Sequence, residues 1–227
     1  MTELTLETLD RDGALQEAID RVWGGSRADL LRGAAVGGAA LLGALALPGR
    51  SSAATPNDVD ILNYALTLEY LQASFYTETE RIGGLRTVPA RRAARVLGSV
   101  ERAHVRALRE VLGRWAGKRP FFNFQGTTED ERPFLKTAVA FEDLAVAAYK
   151  GQAPLLQSRE LLAAAVSIHS VEARHAAWMR HLFGIVPAKQ AFDEPASKPE
   201  ILKIVASTRF IASTPKTTAR RDPRFTG

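Results

Sequence analysis

Ser99-Val100-Glu101-Arg102-Ala103-His104 and Ser170-Val171-Glu172-Ala173-Arg174-His175 carry the same Glu-x-x-His spacing at two places in the chain. On an α-helix, residues three apart lie on one face about a turn from each other, so a carboxylate and an imidazole so spaced can grip one metal ion. The chain has 4 histidines, and two of them stand in this frame.

The two stretches belong to a longer internal repeat. The register that superposes them also places Arg109 on Arg180 and Gly113 on Gly184. A register differing by two residues lays Leu62 to Glu69 over Leu135 to Glu142 and Tyr76 over Tyr149. Each half therefore supplies a lone Glu followed by a Glu-x-x-His: Glu69, Glu101 and His104 in the first, Glu142, Glu172 and His175 in the second.

Helical phase turns these six residues inward. Ala94, Leu97, Glu101, His104, Leu108 and Leu112 follow alternating steps of three and four, as do Ala165, Ile168, Glu172, His175, Met179 and Leu182. That is the buried stripe of a bundle helix. Leu62, Ala65, Glu69, Ala73 and Tyr76 repeat the pattern, and so do Leu135, Ala138, Glu142, Val146 and Tyr149. Four carboxylates in an apolar interior are prohibitively desolvated unless something neutralises them, and two divalent cations do so charge for charge. Internal salt bridging is the competing reading. The nearby arginines, Arg102 and Arg174, lie off the stripe and are expected to face water.

The order Glu, Glu-x-x-His, Glu, Glu-x-x-His resembles the ferritin-like di-iron carboxylate proteins, a ligand set already described for that class of helix bundle. The phrases from Phe141 to Pro154 and from Glu172 to Ala177 resemble more closely the desiccation-related type of ferritin-like domain, often found in exported bacterial proteins. The resemblance covers roughly residues 56 to 212. It implies an all-α, ferritin-like four-helix bundle built as two duplicated helix pairs, with a crossover between helices 2 and 3. It also implies that Glu101 and Glu172 bridge two ions, that Glu69 and Glu142 are terminal carboxylates, and that His104 and His175 each ligate one ion.

Abundant alanine, few aromatic residues and short β-branched runs favour closely packed helices. With no cysteine in 227 residues, disulfides and thiolate metal sites are excluded, and a metal must be held by carboxylate and imidazole. The net charge of +5 is concentrated beyond residue 54, much of it between Lys198 and Arg224. The arginines are scattered over helix faces without aromatic interleaving, so no nucleic-acid partner is expected.

The chain divides into a signal-like segment (1–54), a four-helix bundle (55–185), a C-terminal extension with a short helix (186–212) and a basic disordered tail (213–227). Gly33 to Leu47 is uncharged, too short to span a bilayer comfortably and of normal length for a signal-peptide core, and Ser52-Ala53-Ala54 offers small residues for cleavage. Ser26 to Arg32 resembles a twin-arginine export signal, with Ala28 where the second arginine belongs. Export to the periplasm or beyond is the expectation. An uncleaved anchor, or a buried helix, is the alternative use of the Gly33 to Leu47 run, with Gly33 and Gly37 as a packing face for an anchor.

Thr55-Pro56-Asn57-Asp58 predicts the start of helix one, and Gly83-Gly84 its end. Helix two is expected from Pro89 to about Trp115. The strand-like run Lys118 to Gly126 is long enough, at ~3.3 Å per extended residue, to travel the height of the bundle and leave helices two and three parallel. Helix three is expected from Thr128 to Lys150, interrupted by Pro133 and stopped by Gly151. Helix four is expected from Ser158 to Phe183, and a short apolar helix from Glu200 to Ile211.

Tyr76 and Tyr149 lie two turns beyond the lone glutamates, ~10 Å along each helix. They read as core tyrosines, with hydrogen bonding behind the ligands or transfer of an oxidising equivalent as the functional alternative. His169 could support Glu172, His181 is expected at the surface, and Trp178 is expected to pack. Carboxylate-rich ligation with imidazole suits iron or manganese. The leading expectation is an oxidoreductase with two iron ions, a ferroxidase or peroxide-reducing enzyme whose partners are metal ions and oxygen or peroxide. A dimanganese, catalase-like site is its chemical rival. A stress-protective envelope protein with a structural or unused metal is the reading from another class. The membrane is met only in transit, and a homodimer is the assembly considered.

Overall fold

The computed structural model describes residues 54–212, so the signal-like segment up to residue 53 and the basic tail from residue 213 lie outside the described residues. Four long helices carry the fold: α1 (Pro56–Ile82), α2 (Val88–Leu112), α3 (Glu131–Gln152) and α4 (Arg159–Phe183). A shorter helix α5 (Lys198–Thr208) follows, and two-residue strands β1 (Phe121–Phe122) and β2 (Ile211–Ala212) pair antiparallel. Among these residues no helix is long and apolar enough to cross a membrane.

Local chemistry sets the helix ends where the sequence places them. Thr55 and Asp58 form a capping box at the start of α1, and Gly83 closes it in the left-handed region at φ 70°. Side-chain oxygens of Thr87 and Ser158 accept backbone N–H groups at the starts of α2 and α4, and Gly184 ends α4 at φ 83°. These contacts satisfy donors and acceptors that a helix end otherwise leaves open.

Cross-helix contacts give the direction of each element. Asn63, early in α1, meets Trp115 and Gly117 just beyond α2, while Thr77, late in α1, meets Arg102. The pair α1–α2 is therefore antiparallel. Tyr76 of α1 donates to Glu142 of α3, and Tyr149 of α3 donates to Glu69 of α1, so these two are antiparallel as well. It follows that α2 and α3 run parallel, as the crossover expectation requires.

The crossover is held by its aromatic residues. Phe124 is 2% exposed and meets Phe75 and Phe210 edge-on at ring distances of 5.4 and 5.5 Å. Phe75 also stacks on Phe134 at 5.4 Å and meets Phe141 at 5.1 Å. Burying side chains of this size contributes about 2–3 kcal/mol each, which keeps an otherwise strand-like segment against the bundle. Only Phe121 and Phe122 of that segment pair as strand.

Three boundary expectations are corrected. Pro133 does not interrupt α3, because the helix begins at Glu131 and the proline lies in its first turn, where its missing N–H has no partner to lose. Gly151 does not stop α3, which continues to Gln152. Its role is close approach: a Cβ there would lie 2.0 Å from the Ala196 carbonyl oxygen, next to where Ala196 N–H donates to Ala147. The last helix is α5, which stops at Thr208, and Ile211 pairs as strand instead.

Asp58 ties the start of α1 to the turn before α4. It is fully buried, receives the Thr55 N–H at 3.2 Å, and receives the Gln157 N–H from the turn before α4 at 2.8 Å. Burial pushes its carboxyl upward, but the donors from Gln157, Thr55 and Ser158 outweigh that and hold it below the ordinary value. A depressed carboxylate stabilises the fold above the unfolded-state pKa, ~3.9, and loses that contribution as pH falls through the lower folded value. Asp58→Ala is expected to cost about 1–3 kcal/mol at neutral pH. The gap between wild type and variant should close as pH drops below about 4, which chemical denaturation at a series of pH values measures.

Candidate metal centre

The six residues singled out by spacing converge. Glu69 comes from α1, Glu101 and His104 from α2, Glu142 from α3, and Glu172 and His175 from α4. All four carboxylate residues have 0% exposure, and the His104 and His175 side chains have 12% and 7%. Their donor atoms form two groups within which all ligand atoms lie inside 4.8 Å of one another: Glu69, Glu101, His104 and Glu172, and then Glu101, Glu142, Glu172 and His175. Glu101 and Glu172 belong to both.

The distances repeat across the two halves. His104 Nδ1 lies 3.1 Å from Glu172 and 3.3 Å from Glu69, while His175 Nδ1 lies 2.9 Å from Glu101 and 3.4 Å from Glu142. Each imidazole thus meets its own half's lone glutamate equivalent and the Glu-x-x-His glutamate of the other half. This pseudo-twofold arrangement follows from the duplicated sequence.

These contacts are not a hydrogen-bonded ion-pair network. Both Nδ1 atoms, both oxygens of Glu101 and of Glu172, and one oxygen each of Glu69 and Glu142 are buried without an aligned hydrogen-bond partner. Every one of these atoms belongs to the two groups. Buried polar atoms left without partners are costly, and eight of them facing a common space fit cations held between them. Neither nearby arginine pairs with the six: Arg102 binds Glu80 at 3.0 Å, and Arg174 is exposed.

The electrostatics describe how protons balance the site without metal. Burial, reinforced by the charge of Glu172, raises the Glu101 carboxyl well above its ordinary value. Burial also pushes Glu142 up to about 7, against the pull of His175. At Glu172 burial is outweighed by both imidazoles, which hold it low. Burial opposes charge on the imidazoles too, yet the carboxylates prevail: His175 is raised to about 12, and His104, chiefly through the charge of Glu69, well above its usual value.

The tyrosines have a more definite place than their spacing disclosed. Tyr149 hydroxyl donates to Glu69 at 2.6 Å and Tyr76 hydroxyl donates to Glu142, each reaching the lone glutamate of the opposite half. Burial and the neighbouring carboxylates keep both phenols protonated, so both remain donors. Each orients one carboxylate and occupies the oxygen that does not face the cluster. Sequence alone places each tyrosine in the core, but only the antiparallel packing of α1 on α3 identifies its acceptor. His169 has no hydrogen-bond partner for its buried Nε2, and His181 is exposed. Trp178 packs against the main core.

The profile of the family described as "Ferritin-like domain" matches residues 57–184, more than half of the chain and the whole span from α1 to α4. The chain belongs to this family. No curated protein matches the sequence. The ferritin-like domain accordingly holds a buried acidic and histidine group that could bind metal, contributed by all four of its long helices.

Tyr76→Phe should loosen Glu142, and hence chiefly the group around His175, while Tyr149→Phe should loosen Glu69 and the group around His104. A weakening of about 10–100-fold in one of two metal-binding steps is expected from each, the range typical of residues that orient a ligand. Stepwise metal titration followed by calorimetry tests this. Identical effects on both steps from both substitutions would count against the assignment.

Proposed function

We propose that Glu69, Glu101, His104, Glu142, Glu172 and His175 hold two transition-metal ions, preferably iron, and that the protein oxidises Fe(II) with oxygen or peroxide in the cell envelope. The sharing of Glu101 and Glu172 between two four-residue groups is the observation that carries this reading. Four carboxylates with two neutral imidazoles match the charge of two divalent ions, and this oxygen-rich donor set suits iron and manganese.

Two such ions at one place, when bound, supply two one-electron equivalents to a single oxidant. Two Fe(II) held by these residues would supply the two electrons that, with two protons, reduce one hydrogen peroxide to two waters. The protein's own part is to hold the donors in place and keep water out. Tyr76 and Tyr149 orient the terminal carboxylates, and complete burial of the four glutamates maintains a dry site. Cation binding requires the imidazoles and the raised carboxyls to give up protons, so metal uptake should release protons.

One feature favours a second reading, in which the metal is structural and the protein protects the envelope under stress. The cluster is closed, and His104, at 12%, is the most exposed of the six side chains. Anaerobic loading with Fe(II), followed by oxygen or peroxide, separates the possibilities. A ferric absorption band that develops at two irons per chain supports the oxidase. Oxygen release from peroxide with manganese supports a catalase-like enzyme, and metal retention without turnover supports the structural reading. Residues 1–54 as an export signal are tested by cell fractionation and by N-terminal sequencing of the mature protein.

A further inference from the structure

A cavity of about 320 Å³, lined by none of the six metal-facing residues, opens between α1 and α2. Tyr70 and Ser74 line it from α1, Arg102, Arg106 and Arg109 from α2, and Arg119 from the crossover. The spacings place these residues on facing flanks of the two helices, since residues four and seven apart share a face. No acidic side chain lines the cavity.

Two of the four guanidinium groups here, those of Arg106 and Arg109, have no carboxylate partner among the described residues. Arg102 pairs with Glu80 at 3.0 Å and also donates to Thr77. Arg109 reaches only the Tyr70 hydroxyl, at 3.4 Å, and among the described residues neither Arg106 nor Arg109 forms an ion pair. Arg106 and Arg109 are exposed, so solvent screens their mutual repulsion and leaves both guanidinium groups available to an entering anion.

A second observation concerns the α1 wall of the same cavity. Ser74 is 2% exposed, and its hydroxyl has no hydrogen-bond partner, not even the carbonyl one turn back that a helical serine ordinarily uses. Tyr70, 4% exposed, adds a hydroxyl that contacts Gly117 at 3.3 Å. Forked guanidinium donors and a buried hydroxyl match a tetrahedral oxyanion with several acceptor oxygens. The volume is at the lower end of the ~300–1,000 Å³ of small-ligand sites.

We propose that this cavity binds an oxyanion of the phosphate class, held by Arg106 and Arg109 with Ser74 as its buried donor. None of the six metal-facing residues lines the cavity. Its ligand is either the free ion or the phosphate group of a small molecule.

Calorimetric titration of the full-length chain, treated with chelator so that phosphate has no metal to bind, tests the proposal in about 0.15 M sodium chloride. Inorganic phosphate and glycerol 3-phosphate serve as separate titrants, and the tighter of the two identifies the source. One saturable site per chain is expected. Arg106→Gln and Arg109→Gln should each weaken it about tenfold, the loss of one charge-assisted contact, and Ser74→Ala should weaken it severalfold. Helix content and melting temperature of the two arginine variants should match wild type. Absence of saturation with both titrants, or affinities that the arginine substitutions leave unchanged, would overturn the proposal.

Discussion

Glu101→Gln is expected to reduce bound metal from two ions per chain to none, whereas Glu69→Gln should remove chiefly one. The contrast comes from the sharing of Glu101 between the groups around His104 and His175, while Glu69 belongs to one group alone. Glutamine keeps the shape of the side chain but removes the charge and halves the acceptor oxygens. Both ions therefore lose a ligand, and the remaining negative charge no longer balances two divalent cations. Elemental analysis of metal per chain after equilibrium dialysis measures the outcome. Equal losses from the two substitutions would refute the bridging role.

The same substitution should act in the opposite direction on the metal-free protein. Burial and the charge of Glu172 raise the Glu101 carboxyl in the folded state. A carboxyl raised by folding begins to cost stability once pH exceeds its unfolded value, ~4.3, and the cost grows until the folded value is passed. Metal-free Glu101→Gln should thus melt above metal-free wild type at neutral pH, and the two should approach each other near pH 4. A variant that is merely misfolded would melt lower at both.

Metal itself should produce the largest stability change. A ligand present at a thousandfold excess over its dissociation constant adds about 4 kcal/mol per site. For a domain of this size each kcal/mol corresponds to about 2–4 °C, so each occupied site should raise the melting temperature by roughly 8–16 °C. The gain arises because binding relieves the cost of eight buried polar atoms that otherwise lack aligned partners. Thermal melts of Mn(II)-loaded protein before and after chelation provide the measurement without any redox chemistry. An unchanged melting temperature would contradict metal occupancy of this cluster.

The stripe through Glu101 and His104 and its copy through Glu172 and His175 were readable before any coordinates, because a helix repeats every 3.6 residues and a carboxylate in an apolar stripe is anomalous. The capping groups Thr55 and Ser158 and the terminal glycines Gly83 and Gly184 were equally readable, since their chemistry is local. Gly151 was misread for the same reason. Glycine is a helix terminator by local preference, but here its lack of a side chain serves the approach of Ala196, far along the chain.

Sequence by itself determined which residues face inward, which residues cap α1 and α4, and that two halves each bring two carboxylates and one imidazole. Tertiary structure alone decided that Tyr76 serves Glu142 and Tyr149 serves Glu69, that Glu101 and Glu172 stand between two groups, and that Arg106 and Arg109 border a cavity with Ser74. The physical reason is that helical periodicity specifies a direction around an axis. It does not specify the neighbour in that direction, which depends on how whole helices pack and on which way the crossover leaves them running.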